Sequence, residues 1–298
     1  MLAAAVLLGA CVPGGGGDGP KRQRPDPGTD PAVAAAYRTA LATHTRPVRV
    51  ALGNVATATS YASLNTRLDR AQEASRVAAV RLDKLAAPAE VRAAHSDLVG
   101  AFRQLKGDLD FLSVDVSAQD LCTASVVLPR IAKLGGMTAA HAAGRALAAK
   151  GYPVDLRLPA RAGPARRPLT GQFIRPGTRT GRGVLKIRNS GDRDVVVTLA
   201  LGTRPVYSVY VRKRSNHQVS GIRDGTYRIF VASGREWDPR ARGFARECHF
   251  ERYDEPFKYW TSVTATRIGW SVWTIGMGGG DPANTPVSEL LPGDAPAV

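Results

Sequence analysis

The sequence predicts an α+β chain of two domains: an N-terminal antiparallel bundle of three or four helices, then an antiparallel β-sandwich. Two observations predict it. Apolar residues between positions 31 and 150 recur at alternating steps of three and four, which is helical spacing, and after residue 183 the period switches to two. Between these regions, residues 151–182 carry five Pro and seven basic residues against one acid, and read as a linker. The length of 298 residues is enough for two ordinary domains.

Residues 2–10 are all apolar or Gly, which fits the apolar core of a secretory signal peptide over residues 1–10. No Lys or Arg precedes this run, so the expected start lies upstream of Met1. Residues 11–30, with four consecutive Gly, four Pro and Lys21-Arg22-Gln23-Arg24, have no apolar period and read as a flexible tether spanning about 25 Å. Its basic cluster suits contact with anionic head groups.

The first helix is expected over residues 32–59, kinked at Pro47, which lacks the interior donor. In the second, Tyr61, Leu64, Leu68, Ala71, Ala78, Leu82 and Leu85 share one face, interrupted only by Ser75. Pro88 ends it and pre-sets the next first turn. In the third, Leu98, Phe102, Leu105, Leu109, Leu112 and Val116 keep one seam toward neighbouring helices. A fourth spans residues 119–150, interrupted at Pro129 and Gly135-Gly136 and stopped by Gly151. His44, His95 and His141 fall in separate helices. None has Glu three residues before it, so neither a metal nor a cofactor is expected.

In the β domain, residues 183–277, Leu185 and Ile187 alternate with Lys186 and Arg188, and Val195, Val197, Leu199 and Leu201 alternate with smaller or polar residues. Tyr207, Val209 and Val211, then Tyr227, Ile229 and Val231, repeat the pattern, and a last strand over residues 267–275 carries Trp270 and Trp273. Turn signals at Asn189-Ser190-Gly191-Asp192, Arg223-Asp224-Gly225-Thr226 and Ser233-Gly234 separate them. Residues 278–298 read as a disordered tail.

Leu8-Gly9-Ala10-Cys11 resembles the lipobox of bacterial lipoproteins. The whole chain resembles actinobacterial envelope lipoproteins that join an Ala-rich helical region to a C-terminal β domain. The residues carrying this are the lipobox, Pro88-Ala89-Glu90 leading into Ala94-His95, Leu121-Cys122, Tyr210-Val211 and Asp224-Gly225-Thr226-Tyr227. The resemblance implies a diacylglycerol thioether on Cys11, anchorage at the outer face of the cytoplasmic membrane, and no catalytic residue. With Cys11 acylated, an oxidising compartment favours a bridge between Cys122 and Cys248, the alternative being two buried thiols.

The net charge of +16 is spread over residues 12–150, 151–182 and 183–277. A nucleic-acid module concentrates its charge on one face of a recognisable fold, so nucleic acid is not the expected partner. Anionic wall polymers or an envelope protein suit the charge better. The chain contains no Gly-x-Ser-x-Gly elbow, His-Glu-x-x-His, Cys-x-x-Cys, phosphate loop or dinucleotide fingerprint. Glu236 and Asp238, flanking Trp237 in an apparent loop, are the best acid/base pair for a wall-directed hydrolase. The same stretch is more suggestive as a ligand surface, with Trp237 beside Arg235, Arg240 and Arg242. The leading expectation is therefore a non-catalytic, membrane-anchored binding module. Its alternatives are an assembly protein working through the bundle and the hydrolase.

Overall fold

The computed structural model describes residues 30–159, 167–278, 286–292 and 294–296. The segment expected to be a signal peptide, Cys11 and all but the last residue of the expected tether lie outside them. The described chain is α+β, with five α-helices in the N-terminal half and a largely antiparallel set of strands after them.

Helix α1 (Pro31–Val55) opens on Asp30, whose carboxylate accepts from Ala32 N–H at 2.8 Å, and continues through Pro47 as one helix. Helix α2 (Tyr61–Asp83) starts from a reciprocal cap between Ser60 and Ser63. Pro88 and a single 3-10 turn (Ala89–Val91) lead into α3 (Arg92–Ser117). The expected fourth helix is two, α4 (Ala124–Ala132) and α5 (Gly135–Ala148). Gly136 makes the second possible: a Cβ there would lie 2.3 Å from the Leu105 backbone nitrogen, so only glycine lets α5 cross α3 this closely. Asp108 accepts from Gly136 N–H at 2.7 Å and fixes that crossing.

The predicted seams are the buried ones. Leu64, Leu68, Ala71, Ala78 and Leu82 of α2 meet Leu98, Phe102, Leu105, Leu109 and Leu112 of α3 in one core. Ser75 escapes a desolvation penalty by donating to the Ala71 carbonyl at 2.8 Å. His95 is a core residue: Nε2–H donates to the Leu82 carbonyl at 2.9 Å, and Nδ1 shares a hydrogen bond with the Tyr37 hydroxyl at 2.8 Å.

The span 151–182 is not a free linker. Tyr152 stacks edge-on against Tyr37 at 5.0 Å, Leu156 enters the helical core, and Asp155 takes Arg49 at 3.0 Å. Strand β1 (Phe173–Arg175) then joins the main sheet. Composition misleads here because apolar side chains sparse in sequence still bury against a core that other residues build.

The remaining strands are β2 (Gly183–Asn189), β3 (Asp194–Leu201), β4 (Arg204–Val211), β5 (Ser215–Ile222), β6 (Gly225–Asp238), β7 (Gly243–Tyr253), β8 (Phe257–Tyr259), β9 (Thr261–Val263), β10 (Ile268–Trp270), β11 (Val272–Met277) and β12 (Val287–Glu289). The main sheet runs β1-β4-β3-β6-β7-β12, with β8 on β6. A three-stranded sheet runs β11-β2-β5, its β11–β2 pair parallel, and β9–β10 form a separate ribbon. One apolar cluster takes Leu185, Ile187, Val219 and Ile275 from the three-stranded sheet and Val195, Val197, Leu199, Val209 and Ile229 from the main one.

Three expectations need correction. Strand β3 is buried on both faces, not half-buried. Val195, Val197 and Leu199 enter the core between the sheets, while Val196 packs on the other side with Tyr210, Trp237 and Cys248. The apparent loop at Glu236 and Asp238 is the continuation of β6 past a bulge between Ser233 and Arg235. The tail contributes β12, which pairs with β7 through Val287, Ser288 and Glu289.

The two halves are joined directly. Residues 119–122 run alongside β7, with Cys122 N–H donating to the Ala245 carbonyl at 2.8 Å and Cys248 N–H to the Gln119 carbonyl at 3.1 Å. Cys122 and Cys248 form a disulfide across this join, Cα to Cα 6.4 Å.

Candidate functional site

The β6–β7 hairpin carries all the residues that the sequence singles out for ligand contact, and the fold distributes them over three environments. Trp237 is core: its ring is 3 % exposed and packs edge-on against Tyr210 at 5.7 Å and Phe244 at 5.3 Å. The expectation that it faces a ligand is therefore corrected. Alternation reverses across the bulge, and Glu236, in left-handed backbone at φ 57°, lets Trp237 turn inward behind it. Arg235 lies on one side of this wall, and Arg240 and Arg242 lie beyond its far end.

Arg235 lines a cleft of about 420 Å³ together with Arg167, Arg193, Lys213, Asp192 and Asp194. Its charges are matched in pairs. Arg235 reaches Glu247 at 2.9 Å and Asp192 at 3.4 Å, and Arg193 reaches Glu247 at 3.3 Å. Buried Asp194 accepts from the Nε–H and one terminal N–H of Arg167, the Tyr210 hydroxyl and the Lys213 backbone N–H. Burial opposes its ionisation, but those donors prevail and hold its carboxyl below the usual range, while burial and the carboxylate push the Tyr210 hydroxyl up. Arg235 in turn holds Glu247 low. The three arginines of this cleft are thus already engaged by carboxylates.

The hairpin turn is different. Asp238 is buried, and its Oδ1 accepts from Arg240 N–H at 2.9 Å and Ala241 N–H at 3.2 Å, which folds Pro239-Arg240-Ala241-Arg242 into a tight connection. Arg242 takes left-handed backbone at φ 48°, a conformation that a side chain of this size adopts rarely. Both arginines are exposed. They form one wall of a groove of about 530 Å³, whose other walls are Arg175 of β1, Phe250 of β7, the chain near Pro292, and the first residues of α2 and α4. Two helix N-termini thus open on the same space, each carrying partial positive charge, and the Thr123 side chain makes no capping bond at the second. Among the described residues no carboxylate lines the groove.

The carboxylates proposed for catalysis have separate tasks. Glu236 accepts from Arg246 at 3.1 Å, and Asp238 holds the turn. Among the described residues no group of three His, Cys, Asp or Glu side chains is arranged to hold a metal ion. The Asn189-Ser190-Gly191-Asp192 turn is built by Asn189, which donates to the Arg193 and Arg212 carbonyls at 2.9 and 3.1 Å and accepts from Gly191 N–H. No described helix is long and apolar enough to cross a membrane.

Sequence reasoning missed two contributors. Arg175 lay in the supposed linker, and the helix N-termini emerge only from the packing of the two halves. The run Ser60-Tyr61-Ala62-Ser63 signals a cap, but nothing in it says what the cap faces. No protein-family model matches the chain, and neither a curated protein nor a solved structure matches it.

Proposed function

We propose that this chain is a non-catalytic binding module of the cell envelope, anchored by lipid on Cys11 at the outer face of the cytoplasmic membrane, and that its groove takes an anionic envelope polymer. In this reading α1, α2, α3 and α5 form an antiparallel four-helix bundle and the two facing sheets form a β-sandwich. The ligand lies where the two meet.

One observation carries the ligand class: Arg175, Arg240 and two helix N-termini line one groove in which no described lining residue is a carboxylate. Guanidinium groups bind phosphate and carboxylate in fixed forked geometry, and helix N-termini add oriented N–H groups. A polymer rather than a small anion suits a long, open groove with cations at its rim. The disulfide supports an oxidising compartment, and the lipobox resemblance supports the anchor.

The test is retention of the full chain on isolated anionic wall polymer. Reversing charge with Arg240→Glu is expected to weaken retention about tenfold and to leave the melting temperature unchanged. Retention equal to that of the unaltered chain would overturn the reading.

A further inference from the structure

The ribbon of β9 and β10 and the start of β11 expose several large apolar side chains, none of which lines the groove. Trp260 is 54 % exposed, Trp270 45 % and Trp273 39 %, in contrast to the buried Trp237, and they are joined by exposed Val263, Ile268 and Val272. Contiguous exposed apolar groups of this kind mark an interaction site.

The register shows the shape. Val263 faces Ile268 across the ribbon, and Trp270, two residues on, shares their side opposite Thr261. Trp260 sits one residue before Thr261 and so belongs to the other side, where its carbonyl accepts from Ser271 N–H at 3.1 Å and its N–H donates to Ser271 Oγ at 3.0 Å. Apolar groups therefore occupy both faces of a thin ribbon, and residues 263–268 at its tip are all exposed. A sugar chain stacks on rings that share one face and are flanked by carboxylate or amide side chains. A wedge apolar on both sides fits an acyl-chain boundary instead.

Charge points the same way. Residues 256–277 contain Lys258 and Arg267 and no acid, and Asp224 at the ribbon base is engaged by Thr261 N–H and Oγ1, both at 2.9 Å. The ribbon is also built before any contact: Thr264 and Arg267 close its tip at 2.8 Å, and Trp273 Nε1–H donates to the Lys258 carbonyl at 3.0 Å. Ordering it on binding costs little.

We infer that the β9–β10 ribbon inserts into the interfacial region of an anionic lipid bilayer, with Trp260, Trp270 and Ile268 at the acyl boundary and Lys258 and Arg267 at the head groups. Tryptophan favours this depth, and such insertion reaches about 5 to 10 Å. This surface is independent of the groove and does not need the anchor. A second point of attachment fixes how the molecule stands on the membrane, where a tether alone leaves it free to rotate.

The experiment mixes the full chain with phosphatidylglycerol vesicles carrying bromine on the acyl chains and reads tryptophan emission. A blue shift and quenching are expected. Val263→Ser with Ile268→Ser, which keeps every tryptophan, should abolish the shift, and Trp270→Ala should weaken partitioning about tenfold. All these variants share the N-terminal apolar run, so the difference reports the ribbon, and an intact Cys122–Cys248 bridge with unchanged melting verifies the fold. Vesicle binding without quenching, equal partitioning by the serine variant, or a shift with soluble wall glycan and none with vesicles would each overturn the inference.

Discussion

The cleft at Arg235 and the groove at Arg240 and Arg242 lie on the same hairpin and hold similar numbers of arginines, yet their described linings differ in counter-charge. In the cleft, every arginine that the hairpin and its neighbours supply meets a carboxylate: Arg167 with Asp194, Arg193 and Arg235 with Glu247. In the groove, Arg175 and Arg240 stand among described lining residues that include no carboxylate. Local counter-charge, not arginine count, separates a structural cluster from a surface able to take an anion.

The contrast can be broken or sharpened by substitution. The largest effect is expected at the join that holds both sites in place. Replacing Cys122 and Cys248 by Ala opens a closure of 126 residues and should cost about 4 to 5 kcal/mol in chemical denaturation, by the loop-entropy relation. Trp237→Ala removes the wall between the sites and should cost about 3 to 5 kcal/mol, as truncating a buried aromatic does. A melting temperature that hardly moves would put Trp237 back on the surface.

Asp194→Asn tests the cleft. It removes the charge and one of the two acceptor oxygens that the Arg167 guanidinium and the Tyr210 hydroxyl share, and should cost about 2 to 3 kcal/mol. Its pH dependence has a fixed sign. The folded carboxyl ionises below its unfolded value, so the stabilisation is complete above roughly pH 4 and is lost as pH falls through the folded value. The Asn variant should lose less stability over that acid range, and parallel acid profiles would sink the assignment. Smallest of all, Arg240→Glu should change stability by no more than about 0.5 kcal/mol, since its side chain is exposed. If it unfolds the chain, the groove is structural like the cleft.

Much of the helical half is legible in its sequence because Leu64 to Leu82 and Leu98 to Val116 obey a strict local period, and local periods need no knowledge of distant chain. The break before α5 is less legible, since Gly136 is required by Leu105, thirty residues away. In the β half, β2, β3, β4 and the first part of β6 announce themselves by alternation. Strand β5, Ser215–Ile222, does not, because Asn216, Gln218 and Ser220 are exposed polar groups and its pairing with β2 supplies the order. The candidate site was half visible: Arg240 and Arg242 stood out, but a tryptophan beside arginines looks the same in sequence whether it faces solvent or core. The bulge decided it, and bulges are set by the partner strand.

The bridge from Cys122 to Cys248 also governs what damage to the molecule looks like. A protease that cuts once anywhere in the stretch it encloses leaves a single covalent species, with helices and sheet still held against each other. Such a nicked molecule keeps its mass on a non-reducing gel apart from one added water, and its two fragments separate only when thiol is supplied.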